Sequence, residues 1–189
     1  SQLEAMLTVR DLGQVYVFDL DESRAREFCN TAEKLFSANY STSFTPVSDP
    51  NEVVPSVDII TTVTTSKRPT FDGSLIKPGT HINGVGAYTP EMCEIPFEAI
   101  EKASAIVFDT MDGVLSEAGD FIQPIKQGKL KESDISGELG SVVNQKLSGR
   151  KSAEDITIFK TVGTAALDVV VADRIVKKAD SADVGTKLG

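Results

Sequence analysis

Nitrogen and sulfur metal ligands are scarce in this chain of 189 residues, which has one histidine and two cysteines. His81 stands alone. Cys29 and Cys93 have neither C-x-x-C spacing nor a histidine pair nearby, so no metal site is expected and both read as reduced thiols of a cytoplasmic protein. Basic residues are also in the minority. Nineteen Lys and Arg face 28 Asp and Glu, for a net charge of −9. With a pI of about 4.7, the chain has no diffuse attraction for phosphate backbones or anionic lipid, which argues against nucleic acid and membrane surfaces as partners. No apolar run is long enough to span a bilayer, and the opening SQLEAMLTVRDL lacks the basic-then-apolar layout of a signal peptide. There are no internal repeats and no low-complexity segments. Most telling, no G-x-G-x-x-G or G-x-G-x-x-A fingerprint precedes a helix anywhere.

What is present is ordinary globular material, 40% hydrophobic and 25% charged, sized for one domain or one domain with a small appendage. Leu3, Met6 and Leu7 have helical spacing from the first residues, with Ser1 the only cap on offer. QVYVFDLD is a short β-branched and aromatic run ending in acid. In DESRAREFCNTAEKLFS, Ala25, Phe28, Cys29, Ala32, Leu35 and Phe36 form an amphipathic stripe. Asp21 is placed to cap that helix. TSFTPVS reads as a strand and DPNEVVPS as a short helix opened by Asp49 and Pro50. VDIITTVTT and GTHINGVGA read as strands, PFEAIEKA as a helix, and SAIVFDTM as a strand covered on both faces. ISGELGSVVNQKLSG predicts a helix with Ile135, Leu139, Val142 or Val143, and Leu147 on one side and Gly149 as its stop. DITIFKTVG is a last strand, and TAALDVVVADRIVKKA a final helix before a loosely held tail, DSADVGTKLG. This alternation predicts an α/β fold, a Rossmann-like doubly wound and mostly parallel sheet, with ligands beyond the carboxyl ends of its strands.

Asp19 ends the first visible strand. In dinucleotide-binding folds an acid at such a strand end bonds the adenosine ribose and repels a 2′-phosphate. With no Arg or Lys before Arg24, NAD is favoured over NADP; capping of the next helix is the plainer alternative for Asp19. The missing glycine fingerprint, together with a helix already under way at residue 1, suggests a fragment whose first strand and phosphate loop lie upstream. Gly84 and Gly86 stand where small residues would let a cofactor approach. The hydroxyls of TTVTT are β-branched strand residues on the simplest reading. His81 reads as a packed, hydrogen-bonded histidine rather than an acid–base catalyst. Glu117 and Asp120 read as solvated helix ends, and Glu138 as half-buried on its helix.

HINGVGAYTPEMCEI, VLSEAGDFIQPI, GELGSVV and DITIFKTVGTAALDVVVA, in this order and spacing, resemble the ornithine cyclodeaminase/mu-crystallin family, and SQLEAML resembles the segment after that family's G-x-G-x-Q-A loop. The resemblance covers nearly the whole chain. It implies a member without roughly its first two-fifths, divided into an incomplete Rossmann domain at 1–162 and a helix and tail at 163–189 that return to a substrate and dimerisation domain. It implies a homodimer and an NAD-dependent enzyme of small amino or imino acids, the fragment alone being catalytically incomplete. By motif, Asp19 would hold the adenosine ribose, and Thr62, Val63 and Thr64 would line the adenine and ribose side. Val85, Ala87 and Tyr88 would sit near the nicotinamide, Thr161 would face it, and Glu138 would rim the substrate pocket. Ornithine cyclodeaminases carry an aspartate where Tyr88 stands. A phenol is a poor base near neutral pH, so imine reduction or amino-acid oxidation is preferred over cyclodeamination of ornithine, and over a crystallin-like ligand binder.

Overall fold

The structure, a computed structural model, describes residues 2–186. The chain divides into two compact units, residues 1–57 and 58–189. The first unit runs α1 (Gln2–Val9), β1 (Gln14–Val17), α2 (Glu22–Phe36) and β2 (Ser43–Pro46). The two strands pair in parallel from Gln14–Ser43 to Val17–Pro46, with α2 as the crossover that a parallel pair requires. Asp21 caps α2: its Oδ1 accepts the Ser23 amide at 2.9 Å and the Ser23 hydroxyl at 2.6 Å. Those bonds hold its carboxyl below the usual range. Ala25, Cys29 and Ala32 are buried on the helix's inner face, while Phe28 and Leu35, at the margins of the expected stripe, stay exposed. The helix expected after Asp49 is one 3-10 turn, Pro50–Glu52, with Asp49 accepting the Asn51 amide. The cap expected of Ser1 lies outside the described residues.

The second unit contains β3 (Ile59–Thr62), β4 (His81–Gly84), α3 (Phe97–Lys102), β5 (Ala105–Phe108), α4 (Met111–Glu117), α5 (Gly119–Lys126), β6 (Gly137–Glu138), α6 (Leu139–Val143), β7 (Thr157–Lys160) and α7 (Ala165–Ala182). Its sheet has the order β3-β4-β7-β5-β6, with every pair parallel. The last strand in sequence is thus the middle one in space. β5 is buried at all four positions, as a strand covered on both faces should be. Ile82, Ile106, Ile158, Phe108 and Phe121 form the heart of the core.

Two expectations need correction, and one stretch carried no assigned elements. Residues 110–126 form two helices, α4 and α5, although Gly113, Gly119 and Pro124 conceal the periodicity. The helix expected to run to Gly149 is only the five residues of α6, preceded by strand β6; it gives way to a turn with Gln145 at φ 57°. Finally, α7 continues through the first three residues of the expected tail and stops at Asp183, φ 50°; residues 187–189 lie outside the described part.

Phe108 and Phe121 are fully buried and meet edge to face, ring centroids 4.7 Å apart. Phe121→Ala should therefore cost about 3–5 kcal/mol of unfolding free energy. Urea denaturation checks this, and a loss under about 1 kcal/mol would mean that the ring is not the core element described.

Candidate functional site: the carboxyl edge of the second sheet

The register places Thr62, Gly84, Lys160, Phe108 and Glu138 on one rung across the five strands. Beyond this rung β6 passes directly into α6, while β3, β4, β5 and β7 leave the sheet as irregular backbone, whose amides need acceptors wherever they are covered. Carboxylates supply them. Glu94, fully buried, accepts the Thr64 amide on Oε1. Its Oε2 accepts the Gly86 and Ala87 amides, each at 2.8 Å. One side chain therefore ties the exit loop of β3 to the exit loop of β4. Asp120 supports Glu94 from behind, its Oδ1 accepting the amides of Glu94 at 2.6 Å and Ile95 at 2.9 Å. The second Asp120 oxygen lies 3.2 Å from Lys160 Nζ, with neither side chain exposed. An ion pair removed from water depends on close geometry and further hydrogen bonds to offset its desolvation, and the two amides on Asp120 meet part of that need.

Two more acids complete the edge. Asp109, at the exit of β5, accepts the Thr161 hydroxyl at 2.6 Å and the amides of Val162 and Gly163 at 3.0 Å, which fixes the loop after β7. Glu138, at the end of β6, accepts the Met111 amide at 2.8 Å and so satisfies one of the open donors at the start of α4.

The expected candidates fall in both units. Thr62, Val63, Thr64, Val85, Ala87, Tyr88, Thr161 and Glu138 all belong to this edge of the second unit. Thr62 and Ala87 are buried, whereas Val63 and Tyr88 are 57% and 51% exposed, so a ligand here would meet Val63 and Tyr88 first. Asp19 belongs to the first unit, just past β1. It is not the helix cap; one of its oxygens accepts the Asp21 amide at 2.9 Å, and the cap is Asp21. Arg24 and Arg26 are engaged with Asp21 and Glu22. His81 is hydrogen-bonded through both ring nitrogens, to Thr157 Oγ1 at 2.7 Å and Asn83 Oδ1 at 3.1 Å.

The reason expected for the glycines is corrected. A Cβ on Gly84 would strike Ile95 and Lys160, and one on Gly86 would strike the backbone of Thr64 and the Glu94 carboxylate. The space they leave is filled from within the chain. Asp120 is corrected too: only 2% exposed, it is a buried partner of Lys160 and not a solvated helix end. Glu138 is half-buried as expected, but it ends a strand and does not share a helix with an apolar stripe.

Glu94, Asp109 and Lys160 escaped the sequence reading. Their signal was an ionisable residue set against an apolar stretch, in CEIP, IVFDT and TIFK. Such residues are seldom buried unless paired, and here each has partners. Among the described residues, no cluster of three or more His, Cys, Asp or Glu could hold a metal ion.

Cys93 borders the same network. Burial first, and then the charge of Asp120, push its thiol up to about 12. Burial raises Cys29 as well. An unfolded thiol titrates near 8.5, so the stability Cys93 contributes is complete below about pH 8.5 and is lost as pH rises toward 12. Native protein at pH 8 should accordingly show no rapidly reacting thiol in a chromogenic disulfide assay, and two after denaturation, matching the two cysteines. One fast thiol in the native protein would contradict this environment.

Comparison with known proteins agrees with this fold. The family model described as ornithine cyclodeaminase/mu-crystallin matches residues 1–183: the chain belongs to that family. It is 36% identical over 185 residues to a Δ1-pyrroline-2-carboxylate reductase of Bacillus cereus, covering 98% of this chain and 55% of the relative. It is 32% identical over 187 residues to an alanine dehydrogenase of Archaeoglobus fulgidus, covering 99% and 55%. The solved Δ1-pyrroline-2-carboxylate reductase of Thermococcus litoralis, in complex with NADH and L-proline, superposes with a TM-score of 0.92 at 33% identity, covering 99% of this chain and 56% of that one. The chain thus spans little more than half the length of these relatives. Among its described residues, no helix is long and apolar enough to cross a membrane.

Proposed function

We propose that this chain is the nucleotide-binding part of an NAD-dependent oxidoreductase that reduces a small cyclic imino acid of the Δ1-pyrroline-2-carboxylate type, or reversibly oxidises the matching amino acid. The observation that carries the reading is Asp19. It stands past the end of β1 with one oxygen bonded to its own loop and the other without a hydrogen-bond partner among the described residues. A carboxylate so placed suits a ribose diol and repels a 2′-phosphate. The relatives named above are reductases and a dehydrogenase of small imino and amino acids, and one of them was solved with NADH.

The residues present fit the cofactor. Asp19 would hold the adenosine ribose. Thr62, Val63 and Thr64 would line the adenine and ribose side, Val85, Ala87 and Tyr88 would border the nicotinamide, and Thr161 would face it. When bound, NADH supplies a hydride to the imine carbon, the imine nitrogen being protonated. Val85 offers apolar surface that would exclude water from that transfer. Tyr88 carries a phenol that can donate a hydrogen bond to substrate without acting as a base. The Thr161 hydroxyl is already committed to Asp109, so its part is to keep the β7 exit loop in place. Glu138 would act in the same way through Met111, at the rim of the substrate pocket.

The helix and tail at 163–189 belong in this reading to a substrate and dimerisation part. Leu167, Val170, Val171 and Ile175 are all more than half exposed along α7, which suits a helix completed by further chain in a homodimer. The two free thiols suit the cytoplasm.

The test is oxidation of NADH by the full-length protein with Δ1-pyrroline-2-carboxylate, followed at 340 nm. Turnover is expected, with NADH preferred to NADPH. Asp19→Ala should weaken NADH about tenfold to a hundredfold, the loss of a charged hydrogen bond, and should erode the preference for NADH. No turnover across cyclic imino acids and pyruvate with ammonia would overturn the proposal.

A further inference from the structure

Five of the eight residues at the proposed cofactor edge sit on two loops, 63–64 and 85–88, and Glu94 is the side chain that joins those loops. Its two oxygens take three amides, from Thr64 on one loop and from Gly86 and Ala87 on the other. The loops approach so closely that a single Cβ on Gly86 would collide with Thr64 N and O. Glu94 is fully buried and touches no open surface, so it cannot reach a ligand. Nor can it move alone. Asp120 holds its amide, and Asp120 is held in turn by Lys160, whose stem lies against Gly84 in the middle of the same rung. Loss of the Glu94 charge would leave three amides competing for one neutral acceptor and a buried Lys160–Asp120 pair without its neighbour.

We infer that Glu94 is a positioning residue: braced by Asp120 and Lys160, it locks the β3 and β4 exit loops into one unit and so sets the affinity for the cofactor without contacting it. The inference rests on the proposed function for its ligand, though not for the coupling of the loops.

The experiment has two arms. In wild-type full-length protein, amide hydrogen exchange resolved by NMR should show Thr64, Gly86 and Ala87 opening together, with protection factors agreeing within about threefold. Glu94→Gln should speed exchange at all three and raise the NADH Kd about tenfold or more, measured well below both melting midpoints. The Val162 and Gly163 amides, held by Asp109, should keep their wild-type rates. A merely structural role would lower the melting midpoint and leave the NADH Kd unchanged, and that result overturns the inference. So does a wild-type protein in which Thr64 exchanges independently of Gly86 and Ala87, a result that stands even if the variant fails to fold. Wild-type protein that binds no NADH overturns the proposed function together with the affinity claim. Failure of the inference alone reads differently, as normal NADH binding that Glu94→Gln does not disturb.

Discussion

A parallel sheet must release all its strands toward one edge, and the amides that emerge there cannot all be answered by neighbouring strands. In this protein the answer is a set of carboxylates. Glu94, Asp120, Asp109 and Glu138 each accept at least one backbone amide from a segment distant in sequence. A carboxylate suits the task because it accepts through two oxygens and forms charge-assisted bonds that are shorter and stronger than neutral ones. The shape of the edge follows from where these acids stand.

The same constraint accounts for the small residues. Gly84 and Gly86 look, in a sequence, like an opening left for a ligand. In the structure they are the clearance that lets Lys160, Ile95 and Glu94 pass beneath the loops. The loops gain fixed backbone from this, and the exposed side chains they carry, Val63 and Tyr88, gain fixed directions. A cofactor bound here as proposed would meet the exposed Val63 and Tyr88 while the buried charges stay underneath. That division of labour suits hydride transfer, which needs alignment and the exclusion of water more than a strong base at the reacting atom.

Much of the scaffold was legible in advance because periodicity is a local property. The stripe through Ala25, Cys29 and Ala32, the cap at Asp21 and the doubly buried run at 105–108 all follow from nearest neighbours in sequence. Residues 110–126 were not legible, since two glycines and a proline break the pattern of helices held in place by tertiary packing. The α6 region failed in the opposite direction: apolar residues at helical spacing were taken up by a two-residue strand, one short helix and a turn. Motif resemblance named eight residues that the structure gathers at the carboxyl end of the second sheet. It gave no hint of Glu94 or Lys160, because a buried ion network is defined by partners 26 to 40 residues away, and a single sequence does not show which distant acid meets which amide.

The central proposal is that the carboxylate-anchored edge of the second unit receives the nicotinamide end of NAD, with Asp19 of the first unit proposed to bond the adenosine ribose. A crystal structure of the full-length protein with NADH bound addresses it most directly. The account predicts the nicotinamide ring against Val85 and Tyr88, the ribose hydroxyls on the Asp19 carboxylate, and the Glu94 bonds to Thr64, Gly86 and Ala87 intact. A ring bound elsewhere, or an Asp19 carboxylate turned away from the ribose, would contradict it.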